Sequence, residues 1–235
     1  MAFNREQTRR MQAGVVISLL VVAVVLLIVV LSGGVGAKVG GTASAGSSSA
    51  SSAASSAPTA AAASGDSDLS SMDDVNATYG AAEQKLKAQF EADPSNPSAL
   101  LNLANGYFDW GYAAMGYATS DDDTAHVTDL FTQAVTYYDQ YLQGSPSSKS
   151  VQVDRAIAIF YAGDTTRAID TLEAFTAGTD DFGPAWANLG MFYEAAGRTD
   201  DAKAAYERAV KADPDDTYQV KTYAQQRLDA LSQDK

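Results

Sequence analysis

The sequence predicts an all-α fold: a solenoid of about three stacked helical hairpins with flanking helices, preceded by one transmembrane helix and a disordered linker. Three observations lead to this prediction. Residues 183–216 show two helix-period patterns separated by a turn at Ala196 and Gly197. The same placement of small residues recurs one 34-residue unit upstream, in residues 149–182. Near the N-terminus, residues 14–31 are an uncharged apolar run, which a Ser-, Ala- and Gly-rich stretch follows.

Residues 183–216 distribute large and small side chains as two antiparallel helices require. Trp186 and Tyr193 lie at helical spacing in the first half, and Tyr206 fills the corresponding space from the second half. Gly190 and Ala202 are small where the two helix backbones must approach closely. A single hairpin of this kind cannot bury its own apolar face, so neighbouring hairpins are expected.

This pattern resembles the tetratricopeptide repeat (TPR), whose signature is W-x2-L-G-x2-Y followed by A-x3-F/Y, A and P within 34 residues. The resemblance implies a helix–turn–helix unit that stacks with others into a solenoid. The signature positions in this sequence are Trp186, Leu189, Gly190, Tyr193, Gly197, Ala202, Tyr206, Ala209 and Pro214.

The same register predicts two further repeats. Residues 149–182 are a degenerate copy, with Ala156 and Ala168 at the small positions and Gly163 at the turn. Residues 97–148 form the unit before it, in which an insertion lengthens both helices by about two turns. We expect part of another unit before residue 97 and a capping helix in residues 217–235. The whole TPR domain is predicted to span residues 73–235.

The segments before this domain predict attachment to a membrane. Residues 1–13 are a basic tail, residues 14–32 a transmembrane helix and residues 33–72 a flexible linker. The 18 apolar residues of the helix reach about 27 Å, close to the thickness of the hydrocarbon core of a bilayer. A cleaved signal peptide is the alternative, although its apolar core usually has only about 7–15 residues.

Charge predicts the side of the membrane on which the domain lies. Arg5, Arg9 and Arg10 precede the apolar run, whereas only Lys38 follows it closely. By the positive-inside rule, the N-terminus stays in the cytoplasm and the TPR domain lies on the extracytoplasmic face of the cell membrane. From residue 73 onward the chain has 26 acidic and 12 basic side chains. This excess of negative charge disfavours nucleic acid and direct contact with an anionic lipid surface.

The inventory of reactive side chains argues against an enzyme. The chain has no Cys and one His, His126, so it offers neither a thiolate nor the usual ligand set of a transition metal. It has no glycine-rich phosphate-binding motif and no G-x-S-x-G nucleophile motif. Acidic clusters precede predicted helices, where Asp caps the helix and complements its dipole. We therefore predict no catalytic residue, cofactor, metal or small-molecule substrate.

The resemblance also implies a binding groove. In TPR proteins, the second, fifth, ninth and twelfth positions of the first helix of each repeat face inward. The candidate lining is mainly apolar and comprises Leu101, Asn105, Phe108, Val153, Ile157, Phe160, Ala187, Met191 and Glu194. Such a lining favours an amphipathic helix or an apolar peptide as ligand. Alternatively, a flanking helix of the chain itself fills the groove.

A second candidate surface lies on the lengthened hairpin of residues 97–148. Its aromatic and soft apolar residues include Trp110, Tyr112, Met115 and Tyr117. We expect most such rings to pack inside the domain, whereas any that are exposed would serve as anchors for a partner.

Together these features predict a module that binds proteins. The chain resembles membrane-anchored bacterial TPR proteins, and we expect it to act as a scaffold or assembly factor for another protein of the cell envelope. The alternative is a chaperone-like accessory role for exported proteins near the secretion channel, and self-association through the hairpin is a third hypothesis. The partner and its stoichiometry do not follow from the sequence.

Overall fold

A computed structural model describes residues 69–233, which form α-helices and no strand. Each helix packs against the next one in the chain, so the all-α solenoid predicted from the sequence is confirmed over this range. The eight helices are α1 (Met72–Ala92), α2 (Pro97–Met115), α3 (Asp121–Gly144), α4 (Lys149–Tyr161), α5 (Thr165–Gly178), α6 (Gly183–Ala195), α7 (Thr199–Ala212) and α8 (Val220–Gln233).

The predicted basic tail (1–13), the predicted transmembrane helix (14–32) and nearly all of the predicted linker lie outside the described residues. Within residues 69–233, none of the helices combines the length and the apolar character that crossing a bilayer requires. Helix α1 begins at Met72, one residue before the predicted start of the domain, and Ser71 caps it by accepting the amide of Asp74.

The helices alternate between two layers. The first helices of the hairpins are α2, α4 and α6, which begin at Pro97, Lys149 and Gly183, the first residues of the three predicted repeats. Helix α6 contacts both α4 and α8, so α8 continues this layer. Helices α3, α5 and α7 are the second helices of the hairpins. Helix α1 packs against α2 and takes the place of a second helix at the N-terminal end.

The insertion in residues 97–148 lengthens both helices of the first hairpin. Helices α2 and α3 have 19 and 24 residues, compared with 13 and 14 in α6 and α7. The 21-residue α1 packs against the lengthened α2, so the chain itself covers one side of this hairpin. The Tyr117 hydroxyl donates to the carbonyl of Leu69, 2.8 Å away, just before α1 begins.

Acidic side chains organise several helix starts, as expected from their positions. Ser120 and Asp123 form a reciprocal capping box at the start of α3. Asp164 accepts the amide of Arg167 at the start of α5. Asp213 is buried at the joint between α7 and α8, where its carboxylate accepts the amides of Thr217, Tyr218 and Val220. Asp200 and Asp201 lie inside the first turn of α7, and the residue before this helix forms no side-chain capping hydrogen bond.

Candidate partner-binding surface

Helices α6 and α7 are held together around Gly190. A Cβ placed on this glycine would lie 2.6–2.8 Å from three carbon atoms of the Tyr206 ring. Tyr206, Ala202 and Ala209 are fully buried, and Leu189 is nearly so. The close approach therefore depends on the absence of a side chain at residue 190.

The other signature residues shape the turn and the outer side of this hairpin. Gly197 has φ +75°, a left-handed conformation that glycine adopts readily after a helix end. The indole of Trp186 donates to the carbonyl of Asp180, and the guanidinium of Arg208 lies 5.2 Å from the Trp186 ring centroid. Asp180, Trp186 and Arg208 border an open depression between α5, α6 and α7. Pro214 lies exposed in the turn after α7.

The α6 part of the predicted groove is engaged by the chain's own C-terminal helix. Ala187 and Met191 are only 5% and 6% exposed. Arg227 of α8 approaches both carboxylate oxygens of Glu194, and the Tyr206 hydroxyl donates to the same carboxylate. Helix α8 therefore packs against α6 and contacts the groove position Glu194.

The α2 and α4 parts of the predicted groove remain partly accessible. Val153 is buried, whereas the other residues are half-buried: Leu101, Asn105, Phe108, Ile157 and Phe160. The polar member is already bonded, because the Tyr138 hydroxyl donates to Asn105 Oδ1 at 2.8 Å. Phe108 and Phe160 also contact other aromatic rings, whereas Leu101 and Ile157 are aliphatic and take no part in these ring contacts.

The aromatic groove residues belong to a continuous cluster. Phe108 packs edge-on against Phe131 and Tyr161, with ring centroids 5.4 and 6.3 Å apart. Phe160 stacks on Phe192 of the next repeat, with centroids 4.5 Å apart. These rings join the first helices of successive hairpins, and each groove phenylalanine still exposes part of its surface.

The four residues of the predicted hairpin surface are all half-buried: Trp110, Tyr112, Met115 and Tyr117. Trp110 faces α1, where its indole donates to Asn76 Oδ1 at 2.8 Å and its ring lies against Gly80. His126 of α3 approaches the same Asn76 oxygen with Nε2, at 3.0 Å. Contacts within the domain therefore engage Trp110 and Tyr117, and a role of these four residues in partner binding stays a prediction.

Comparison with protein families places one of these hairpins. Residues 183–216 match the family model described as tetratricopeptide repeat. This stretch coincides with α6 and α7 and with the contact between Gly190 and Tyr206. No curated protein matches the chain.

Solved structures with a similar arrangement include a crystal structure of MamA, with 23% sequence identity and a TM-score of 0.46 over 68% of this chain and 88% of that one. TTC0263, a thermophilic TPR protein of Thermus thermophilus, has 18% identity and a TM-score of 0.44, covering 68% of this chain and 94% of that one. The Sgt2 TPR domain of Aspergillus fumigatus has 20% identity and a TM-score of 0.38, covering 55% and 82%.

Two carboxylates lie beside the accessible groove positions and were not among the site residues predicted from the sequence. Asp109 follows Phe108 on α2, and Asp154 follows Val153 on α4. Burial raises the pKa of Asp109 to about 6. Burial, together with the nearby Asp109 carboxylate, raises the pKa of Asp154 to about 7. Neither forms an ion pair among residues 69–233, so the junction of α2 and α4 contains two uncompensated acids.

The described residues offer no set of three His, Asp or Glu side chains that could hold a metal ion. The accessible groove positions present apolar side chains, with the carboxylates of Asp109 and Asp154 beside them. The Glu194–Arg227 pair joins residues 33 positions apart, close to the 34-residue period of the repeat, and this spacing is the sequence signal for their contact.

Proposed function

We propose that this chain is a membrane-anchored TPR protein that binds another protein of the cell envelope as a scaffold or assembly factor. The observation that carries the proposal is the unequal covering of the groove. Helix α8 covers the α6 part, whereas the α2 and α4 parts keep apolar side chains half-exposed, notably Leu101, Ile157 and Phe160. A surface left open on one side of a rigid solenoid suits a partner segment.

The chemistry of this surface favours an amphipathic partner with basic residues. Apolar side chains from the partner would cover Leu101 and Ile157, and a Lys or Arg would lie near Asp109 and Asp154. Such a cation would favour the ionised form of both carboxylates and offset the cost of their burial. The carboxylates therefore supply the specificity, and the apolar residues supply most of the buried area.

The N-terminal segments would place this surface near the membrane. Residues 14–32 would cross the bilayer, and a linker of residues 33–72 would allow the domain a root-mean-square reach of about 32–38 Å. Tethering raises the effective concentration of the domain for partners in the same membrane, so modest contact affinity suffices.

Photo-crosslinking in cells tests the partner surface. A photoreactive amino acid at Ile157 should capture one abundant envelope protein, whereas the same group at the exposed Gln133 of α3 should not. The double variant Asp109→Asn with Asp154→Asn should weaken that crosslink and leave the fold intact. Capture of many exported proteins at Ile157, insensitive to the two Asp substitutions, would instead support the chaperone-like alternative. Equal capture at both positions would contradict a groove partner.

The absence of native Cys makes the predicted topology directly measurable. Single variants Ser232→Cys, at the C-terminal end of α8, and Asn4→Cys, in the basic tail, would be exposed to a membrane-impermeant maleimide. On cells with a permeable outer layer and an intact cell membrane, we expect labelling at residue 232 alone. Labelling at residue 4 alone, or at neither position, would contradict the proposed orientation.

A further inference from the structure

Helix α1 packs against α2 through a buried acid. Glu83 is 4% exposed, although acidic side chains are rarely buried without a partner. Both of its carboxylate oxygens are shielded from solvent, and neither has a hydrogen-bond partner among the described residues. A charged carboxylate in such a place costs several kcal/mol, of the order expected for a buried polar group left unpaired.

The position of this carboxylate depends on a glycine in the facing helix. A Cβ added to Gly106 of α2 would lie 2.5 Å from Glu83 Oε2 and 2.6 Å from Leu86 Cδ1. The carboxyl group therefore occupies the space that a larger residue at position 106 would fill.

The titratable groups that face Glu83 do not satisfy it. Lys87 on α1 and the Tyr107 hydroxyl on α2 both favour the charged form of the carboxylate, although Tyr107 does not reach full hydrogen-bond geometry with either oxygen. From α3, Tyr137 stacks on Tyr107, with ring centroids 5.5 Å apart. Burial outweighs these effects and raises the pKa of Glu83 to about 7.

Other contacts hold α1 in place on the N-terminal and C-terminal sides of Glu83. Towards its N-terminus, Asn76 accepts from Trp110 and contacts His126. Towards its C-terminus, Phe90 meets Tyr137 edge-on, with centroids 6.2 Å apart. Unlike α4 and α6, α1 packs against a single hairpin, so its release would leave the later repeats with all their contacts.

We propose that α1 is a pH-sensitive docking helix, which sits on α2 and α3 while Glu83 is neutral and is released when Glu83 loses its proton. A free glutamate ionises near pH 4.5, so between this pH and about 7 the released helix gives up a proton that the docked helix keeps. Docking is therefore strongest in acid and weakens about tenfold per pH unit across that window. Release uncovers Trp110 and Tyr107 on α2, and it frees the segment that joins the domain to residues 1–68.

Amide hydrogen exchange of the full-length chain from pH 5 to 8.5, corrected for intrinsic rates, tests this device. We expect α1 amides to lose at least tenfold in protection as the pH rises to 7, while α6 and α7 amides keep theirs. Glu83→Gln, which mimics the neutral acid, should keep α1 protected throughout. In a Trp186→Phe background, Trp110 is the sole tryptophan, and its emission should shift to the red with the same midpoint.

Three results would overturn the proposal. The first is α1 protection that does not change with pH. The second is a Glu83→Gln variant whose α1 protection changes with pH as in the parent chain, which would assign the transition to another group. The third is simultaneous loss of protection in α1, α6 and α7, which would show that the domain opens as one unit and that α1 has no separate equilibrium.

Discussion

The two ends of the solenoid bury acidic side chains in opposite ways. At the C-terminal end, Asp213 accepts three backbone amides, and Glu194 is bound by Arg227 and by the Tyr206 hydroxyl. At the N-terminal end, Glu83 has no hydrogen-bond partner and Asp109 has no ion-pair partner among residues 69–233. The same hairpin architecture thus has a compensated end, whose carboxylates are paired, and an uncompensated end, where burial raises the pKa values of Glu83 and Asp109.

The two ends of the solenoid also differ in how a glycine contacts the facing helix. Gly190 faces the ring of the fully buried Tyr206, which α6, α7 and α8 hold in place. Gly106 faces the tips of Glu83 and Leu86, two side chains that rotate about several bonds. The C-terminal contact is therefore rigid, whereas the N-terminal contact is able to yield.

The matched pair Gly190→Ala and Gly106→Ala tests this difference and should give the largest effect. Overpacking against the Tyr206 ring should lower the free energy of unfolding by about 3 kcal/mol. The change at residue 106 should cost less than about 1 kcal/mol, because two flexible side chains move aside and Ala has the higher helix propensity, by about 1 kcal/mol. Denaturant unfolding at one pH compares them. Equal losses would contradict the contrast between the ends.

A smaller loss is expected when the compensating cation is removed from the C-terminal end. Arg227→Met leaves the Glu194 carboxylate with the Tyr206 hydroxyl alone, and we expect a loss of about 2 kcal/mol, less than for a fully buried pair. Lys149→Met is the matched control, because its ion pair with Asp181 is 44% and 73% exposed and should contribute less than about 1 kcal/mol. Similar losses in thermal or denaturant unfolding would show that α8 does not depend on this pair.

The sequence predicts the fold well because the repeat is encoded by residue size. Gly190, Ala202 and Tyr206 lie at positions where only small or only large side chains fit, and a 34-residue period carries that information to the neighbouring hairpin. The lengths of α2 and α3 follow from the insertion, which no proline interrupts. Helical periodicity and the positions of close helix contacts can thus be predicted from a single sequence.

The buried acids were not predictable in this way. Glu83 lies on a helix whose other charges are solvated, and only the glycine 23 positions later makes its burial feasible. Asp109 and Asp154 look like ordinary surface residues until α2 and α4 are placed side by side. The covering of Glu194 likewise depends on where α8 crosses α6. Such features arise from contacts between elements, which the pattern of a single helix does not contain.

The smallest expected effect is a gain in stability, and it comes from a substitution at the N-terminal end. Burial raises the pKa of Asp109 from 3.8 to about 6, so the folded chain keeps a proton in this interval that the unfolded chain loses. Stability therefore falls as the pH rises from about 4 to 6, and the loss stays constant above that range.

Asp109→Asn removes this loss, since the amide stays neutral at every pH. We expect it to raise the free energy of unfolding by about 1–2 kcal/mol at pH 7.5 and to leave it unchanged near pH 3.5. The exposed Asp170→Asn on α5 is the control and should shift neither value. Destabilisation by Asp109→Asn at pH 7.5 would mean that the carboxylate is charged and satisfied in the fold. Asp109 at the N-terminal end would then be a compensated carboxylate, like Glu194 at the C-terminal end.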